Sequence, residues 1–204
     1  MKGCCDHECS LEPLHERQRG TLQIVLAINV LMFFTIVAAA YYAGSSALLA
    51  DSLDNLGDAL TYAFSLYAVS RGTVVKARVA LFKGALIFLA ALTVVAQIAY
   101  RLFVPGIPVF EVMGIFSLAG LAANSVCLFL LWRHRHEDVN MSSVWECSRN
   151  DIAANISVFV AAGAVWFTGS GWPDIVVALG LSLLLIRSAM RVITSALAEL
   201  HAAT

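Results

Sequence analysis

Six long apolar runs make up most of this 204-residue chain, and they restrict the folds that it can adopt. The runs lie at 22–43, 46–70, 80–103, 109–132, 143–169 and 173–196. Each is close to or above the ~20 residues that a membrane-spanning helix needs. Charged residues make up 13% of the chain, about half their share in a soluble domain. The pattern predicts an all-α membrane protein with six transmembrane helices.

Lysine and arginine predict the orientation of these helices. They precede helix 1, occur in the loops between helices 2 and 3 and between helices 4 and 5, and recur near the C-terminus, whereas the loops on the opposite side contain only Arg101. By the positive-inside rule both termini are cytoplasmic. We therefore expect a Cys/His-containing cytoplasmic tail at 1–20, a six-helix membrane domain at 21–197 and a short tail at 198–204. The expected location is a cell membrane, such as a bacterial inner membrane.

Acidic residues inside the second apolar run are the first sign of function. Asp54 and Asp58 lie four residues apart in SSALLADSLDNLGDALTYAFSLYAV, and Asp51 precedes them. Residues at i and i+4 share one face of a helix. A carboxylate at membrane depth is costly unless it is paired, hydrated or bound to a cation, so such residues are candidates for function.

A second pair has the same spacing on helix 5, where Cys147 precedes Asp151 by four residues. Helix 2 begins near Ser46 on the outer side, so Asp58 lies about 18 Å from the outer boundary at about 1.5 Å per residue. Asp151 lies about 12 Å from the inner boundary by the same count from Ser143. In a hydrocarbon core about 30 Å thick these two residues are level. The two pairs are therefore expected to meet and form a cation site.

From helix 1 through helix 6 the sequence resembles the cation diffusion facilitator family. Members of this family use a four-residue-spaced pair on helix 2 and another on helix 5 to bind a divalent metal. The family's helix 2 pattern is present as SSALLADSLDNLGDAL, with Asp54 and Asp58 on the ligand positions. Its helix 5 pattern is present as ECSRNDIAANISVFVAA, with Cys147 on the position that is usually histidine and Asp151 on the aspartate. The resemblance implies that these four residues bind the transported metal.

Two departures from the family pattern affect these expectations. Family members usually carry a C-terminal cytoplasmic domain after helix 6, whereas this sequence ends with a short tail such as AELHAAT. We therefore expect a short member without that domain, in which any homodimer pairs through membrane helices. The loop SRGTVVKAR between helices 2 and 3 has no His or acid for the accessory site of some members. Only the central site is expected here.

The expected donor set suggests both the cargo and its counter-ion. Carboxylates with one thiolate suit the tetrahedral coordination of Zn²⁺, and the softer sulfur shifts selectivity from Mn²⁺, Fe²⁺ or Mg²⁺ toward Zn²⁺ and Cd²⁺. Binding requires deprotonated ligands, so metal and protons compete for the site. Alternating access to such a site predicts export of divalent metal coupled to returning protons. Apart from this cargo, no cofactor is expected.

Further polar residues are weaker candidates for metal binding. Asp51 is expected either to line the outer path or to bond to a helix end. Asn155 follows Asp151 by four residues, although Asn in a membrane helix more often bonds to a neighbouring helix. Soft ligands also cluster in the N-terminal tail, where they could capture metal or be incidental; they are Cys4, Cys5, His7 and Cys9.

Other function classes remain open or are disfavoured. One alternative is a membrane metal sensor or adaptor that does not transport and uses the N-terminal Cys/His cluster, together with a partner protein. A second alternative is a passive cation or proton pathway lined by the same acids. The sequence contains no phosphate-binding glycine loop, no nucleophile beside a base and no HExxH motif, so an enzyme is not expected. The net charge of −1, with basic residues flanking the spans, does not favour nucleic acid as a partner.

Overall fold

The computed structural model describes the backbone of residues 16–68, 73–132 and 139–202, and helices account for nearly all of it. These helices are α1 (Glu16–Ala43), α2 (Ser46–Ala68), α3 (Thr73–Phe103), α4 (Phe110–Trp132), α5 (Val139–Thr168) and α6 (Trp172–Ala202). Each of the six apolar runs corresponds to one helix. The all-α prediction is confirmed for the described residues.

Five of the helices are long and apolar enough to cross a membrane. The candidate spans are Arg19–Ala43, Ala77–Phe103, Phe110–Trp132, Arg149–Thr168 and Trp172–His201. The helix outside this set is α2, whose 23 residues include the three aspartates of the predicted site. The passage of all six helices through the membrane and the cytoplasmic position of both termini therefore stay predictions.

The helix ends lie beyond the apolar runs in several places. Helix α3 begins at Thr73 instead of 80, and α6 continues to Ala202 instead of ending at 196. Hydropathy falls at charged residues such as Arg78, but the backbone hydrogen bonds of a helix continue through a polar turn. Apolar runs therefore predict which segments are helical better than they predict where each helix ends.

Helix α2 lies at the centre of the bundle, in contact with α1, α3, α5 and α6. The main buried core joins side chains from these five helices; examples are Ile36, Leu48, Val94, Val158 and Ala178. Large apolar side chains cover the outside of the bundle, including Leu31, Phe34, Phe129, Phe167 and Leu184. An apolar exterior is what contact with lipid requires. The polar residues of α2 are therefore enclosed by other helices.

A tight turn places α1 and α2 side by side. Gly44 adopts φ 64°, a left-handed conformation that glycine accepts without a steric penalty. The amide of Ser45 then donates to the carbonyl of Ala40 at 3.0 Å, as in a Schellman motif at a helix C-terminus. The chain can consequently reverse within two residues and begin α2 at Ser46.

Candidate metal centre

The N-terminus of α2 is capped by side chains from two parts of the chain. The Ser45 hydroxyl accepts a hydrogen bond from the amide of Leu48 at 3.0 Å and donates to Asp174 of α6 at 2.6 Å. The amides of Ser46 and Ala47 donate to the same Asp174 carboxylate at 2.8 and 3.0 Å. These bonds satisfy N–H groups that have no partner within the helix. They also hold α2 at one height relative to α6.

Arg101 at the end of α3 joins this cap. Its guanidinium attracts the carboxylate of Asp174 and lies so close to Gly44 and Gly106 that a Cβ on either glycine would overlap it. The beginning of α2 is therefore fixed by α3 and α6 together. This arrangement sets the position of the aspartates further along α2.

The three aspartates of α2 lie within two helical turns of one another. Asp51 and Asp58 are buried, and Asp54 is partly buried. Asp51 is close enough to Asp54 for electrostatic repulsion between them, and Asp54 has the same relation to Asp58. Such a row of acids inside a bundle requires neutralisation by protons, by basic groups or by a bound cation.

Asp151 of α5 contacts two of these acids from a second helix. Its side chain lies close enough to those of Asp54 and Asp58 for a hydrogen bond to each, and Asp151 is 5% exposed. The depth estimate predicted that Asp58 and Asp151 would be level, and the structure brings them into contact. Two carboxyl groups in contact need a proton or a cation between them, because two bare carboxylates repel each other.

Sequence reasoning missed three residues around Asp58. The hydroxyl of Tyr62 donates to Oδ2 of Asp58 at 2.5 Å. Lys83 of α3 donates from Nζ to Oγ1 of Thr61 at 2.5 Å and attracts the carboxylate of Asp58. Tyr62 follows Asp58 by four residues, and Lys83 is a basic residue within an apolar run. The spacing of Tyr62 and the charge of Lys83 are visible in the sequence, but neither indicates which residue the side chain contacts.

Asn155 and Asp51 are both buried inside the bundle. Nδ2 of Asn155 donates to the carbonyl of Asp151 at 2.8 Å, and Oδ1 of Asn155 lies against Gly120 of α4. Oδ2 of Asp51 is buried and has no hydrogen-bond partner among the described residues. A role for either residue in metal binding stays a prediction.

Several predicted ligands lie outside the described residues. Cys147 falls within α5, but its side chain is not described, and the tail with Cys4, Cys5, His7 and Cys9 precedes the first described residue. Within the described ranges, no group of three His, Cys, Asp or Glu side chains is arranged to hold a metal ion. Asp151 thus contacts Asp54 and Asp58 without the three side chains surrounding one point. A complete set of metal ligands would require these side chains to rearrange or further donors to join them.

Comparison with known proteins gives a family model and two bacterial relatives. Residues 22–201 match the model of the cation efflux transmembrane domain. The zinc transporter ZitB of Yersinia pestis is 29% identical over 196 residues, which are 88% of this chain and 62% of that protein. ZitB of Yersinia pseudotuberculosis serotype I (strain IP32953) is 28% identical over a match of the same extent. This chain spans less than two thirds of the length of these curated relatives.

Proposed function

Because this chain belongs to the cation efflux family, we propose that it exports a divalent transition-metal ion from the cytoplasm in exchange for protons. Members of this family are transporters and not enzymes, and the chain is a multi-pass protein of the cell membrane. The observation that carries the proposal is the contact of Asp151 on α5 with Asp54 and Asp58 on α2. Three carboxyl groups from two enclosed helices would share one cation, whose charge would neutralise theirs.

Proton exchange follows from the chemistry of these ligands. A carboxyl oxygen binds either a proton or a metal ion, so an arriving metal displaces the protons that hold the carboxyl groups together. If the site opens in turn to each side of the membrane, metal leaves outward and protons return on the same side chains. Asp54, Asp58 and Asp151 would carry both ions, with Cys147 as the fourth ligand.

Zn²⁺ and Cd²⁺ are the proposed cargo. Both Yersinia relatives are described as zinc transporters, and carboxylates with a thiolate are suitable ligands for Zn²⁺. The sulfur of Cys147 would also favour the softer Cd²⁺. Capture by Cys4, Cys5, His7 and Cys9 would raise the local metal concentration on the cytoplasmic side.

The proposed transport topology has six membrane passages and two cytoplasmic termini. Helix α2 would be the passage that hydropathy alone does not identify, since its aspartates are enclosed by four neighbouring helices. An accessible tag on each terminus, labelled from either side of sealed vesicles, tests this topology. Labelling of the two tags from opposite sides would contradict it. A homodimer would pair through the exposed apolar faces of these helices.

Transport by the purified protein in liposomes tests the proposed function. A metal-sensitive dye is enclosed in the vesicles, and uptake of Zn²⁺ and Cd²⁺ is followed with and without an acidic lumen. We expect uptake that the acidic lumen accelerates. Metal binding without uptake would instead indicate a sensor, and uptake that does not respond to the pH gradient would indicate a passive pathway.

A further inference from the structure

Lys83 is a basic residue enclosed in the bundle beside the proposed metal site. Its side chain is 9% exposed, and Nζ donates to Oγ1 of Thr61 on α2 at 2.5 Å. Thr61 follows Asp58 by three residues, so the two lie on the same face of α2. The ammonium group therefore lies close to Asp58 and attracts its carboxylate.

The packing of α3 against α2 keeps Lys83 in this place. Ile87 follows Lys83 by one helical turn, and a Cβ on Gly57 would lie 3.5 Å from Cδ1 of Ile87. Thr61 in turn donates to the carbonyl of Gly57 at 2.7 Å. The same face of α3 thus contacts one turn of α2 through Ile87 and through Lys83.

A basic group in a membrane-spanning segment needs a compensating charge. The Thr61 hydroxyl offers a hydrogen-bond acceptor but no negative charge, whereas Asp58 offers a carboxylate. Basic residues at membrane depth are costly, so their presence suggests a function. Because Lys83 attracts the Asp58 carboxylate, an arriving metal ion meets a ligand that already has a positive charge beside it.

We propose that Lys83 competes with the transported cation for Asp58. In the empty site Lys83 holds the Asp58 side chain in place, and in the loaded site it lowers the affinity for the metal ion. This inference rests on the proposed function of Asp54, Asp58 and Asp151 as ligands. Three carboxylates and the Cys147 thiolate, all deprotonated in the metal-loaded site, would have a charge of about −4, and the Lys83 ammonium group offsets about one of these charges. Repulsion between Lys83 and the bound metal would then favour release.

Metal binding by neutral variants of Lys83 tests this inference. Zn²⁺ affinity is measured in the purified full-length protein by competition with a chelating dye. Lys83→Gln retains a hydrogen-bond donor for Thr61, and Lys83→Met removes both the donor and the charge. We expect both variants to bind Zn²⁺ about tenfold more tightly, because a nearby positive charge is lost. Affinity that is unchanged or weaker in a folded neutral variant would overturn the inference.

Lys83→Arg and Arg187→Gln are the controls. Lys83→Arg keeps the positive charge and should bind Zn²⁺ as the wild type does. Arg187→Gln removes a positive charge from an exposed position on α6 and should leave the affinity unchanged. If Lys83→Met does not fold, Lys83→Gln and Lys83→Arg still separate the effect of charge from that of size.

Transport kinetics separate this role from a merely structural one. Tighter binding with slower release should lower KM and Vmax together in Lys83→Gln, whereas a damaged fold would lower Vmax with KM unchanged or raised. A wild-type protein that neither binds nor moves Zn²⁺ would contradict the proposed function itself. A wild type that transports Zn²⁺, beside neutral variants with unchanged KM and affinity, would contradict only the role of Lys83.

Discussion

The Tyr62 hydroxyl donates a 2.5 Å hydrogen bond to Oδ2 of Asp58, one turn earlier on the same helix. The Tyr62 side chain is fully enclosed in an apolar cluster with Leu22, Val25, Cys127 and Leu131. A ring held by packing in this way presents its hydroxyl in a fixed direction. Tyr62 therefore orients the Asp58 carboxyl group.

Tyr62→Phe should weaken metal binding without removing a ligand. A hydrogen bond to a charged group is worth about 1.5–3 kcal/mol, so its loss is expected to raise the KM for Zn²⁺ about tenfold or more. Uptake into proteoliposomes over a range of Zn²⁺ concentrations measures this change. Tyr42→Phe is the matched control, because Tyr42 is 79% exposed on α1. Equal KM values for the two variants would show that Tyr62 has only a packing role.

Asp174→Ala should destabilise the whole bundle. The change removes three hydrogen bonds at the start of α2 and leaves Arg101 without its nearby carboxylate. Loss of a helix cap alone costs about 1 kcal/mol, and unsatisfied buried groups add to it. We expect a clearly lower melting temperature in detergent. Glu111→Ala, which removes an exposed acid from the first turn of α4, is the control, and an equal shift in both variants would contradict this role.

Gly120→Ala should disturb the packing of α4 against α5. A Cβ at this position would overlap the Asn155 side chain, and overpacking typically costs about 1–3 kcal/mol. Gly114→Ala on the same helix is the control, since its Cβ would meet nothing within 4 Å. We expect thermal unfolding at a lower temperature for Gly120→Ala alone. Similar melting temperatures for both variants would mean that Asn155 moves aside without cost.

Cys147→His tests the proposed thiolate ligand. Replacing sulfur with an imidazole nitrogen keeps a ligand for Zn²⁺ but removes the softer donor that Cd²⁺ prefers. The variant should retain Zn²⁺ uptake and transport Cd²⁺ less well relative to Zn²⁺. Both ions are measured in the same proteoliposomes, and an unchanged preference would assign Cys147 to packing.

Sequence patterns predicted the elements of this fold and the meeting of two helices. Long, predominantly apolar runs mark the six helices, although the second run contains the three aspartates of α2. Four-residue spacing and the rise per residue placed Asp58 level with Asp151, and the two side chains are in contact. The helices and this contact could be anticipated because each depends mainly on the periodicity and the rise of single helices.

Contacts that depend on helix rotation could not be predicted in the same way. Lys83 bonds to a residue 22 positions away, and Asp174 bonds to Ser45 across 129 positions. Both partners are selected by the way three helices turn toward one another, which hydropathy does not specify. The ligand roles of the acids and of Cys147 stay predictions, because the described residues do not form a complete metal site.

Zn²⁺ uptake by Asp58→Asn and Asp151→Asn proteoliposomes, beside the wild type and Glu111→Gln, tests the central claim most directly. Each amide keeps the shape of the side chain but removes the charge that a metal ion requires. We predict that both site variants insert normally and lose uptake, whereas Glu111→Gln, altered at an exposed position, transports as the wild type does. Undiminished flux in both site variants would contradict a metal site between α2 and α5.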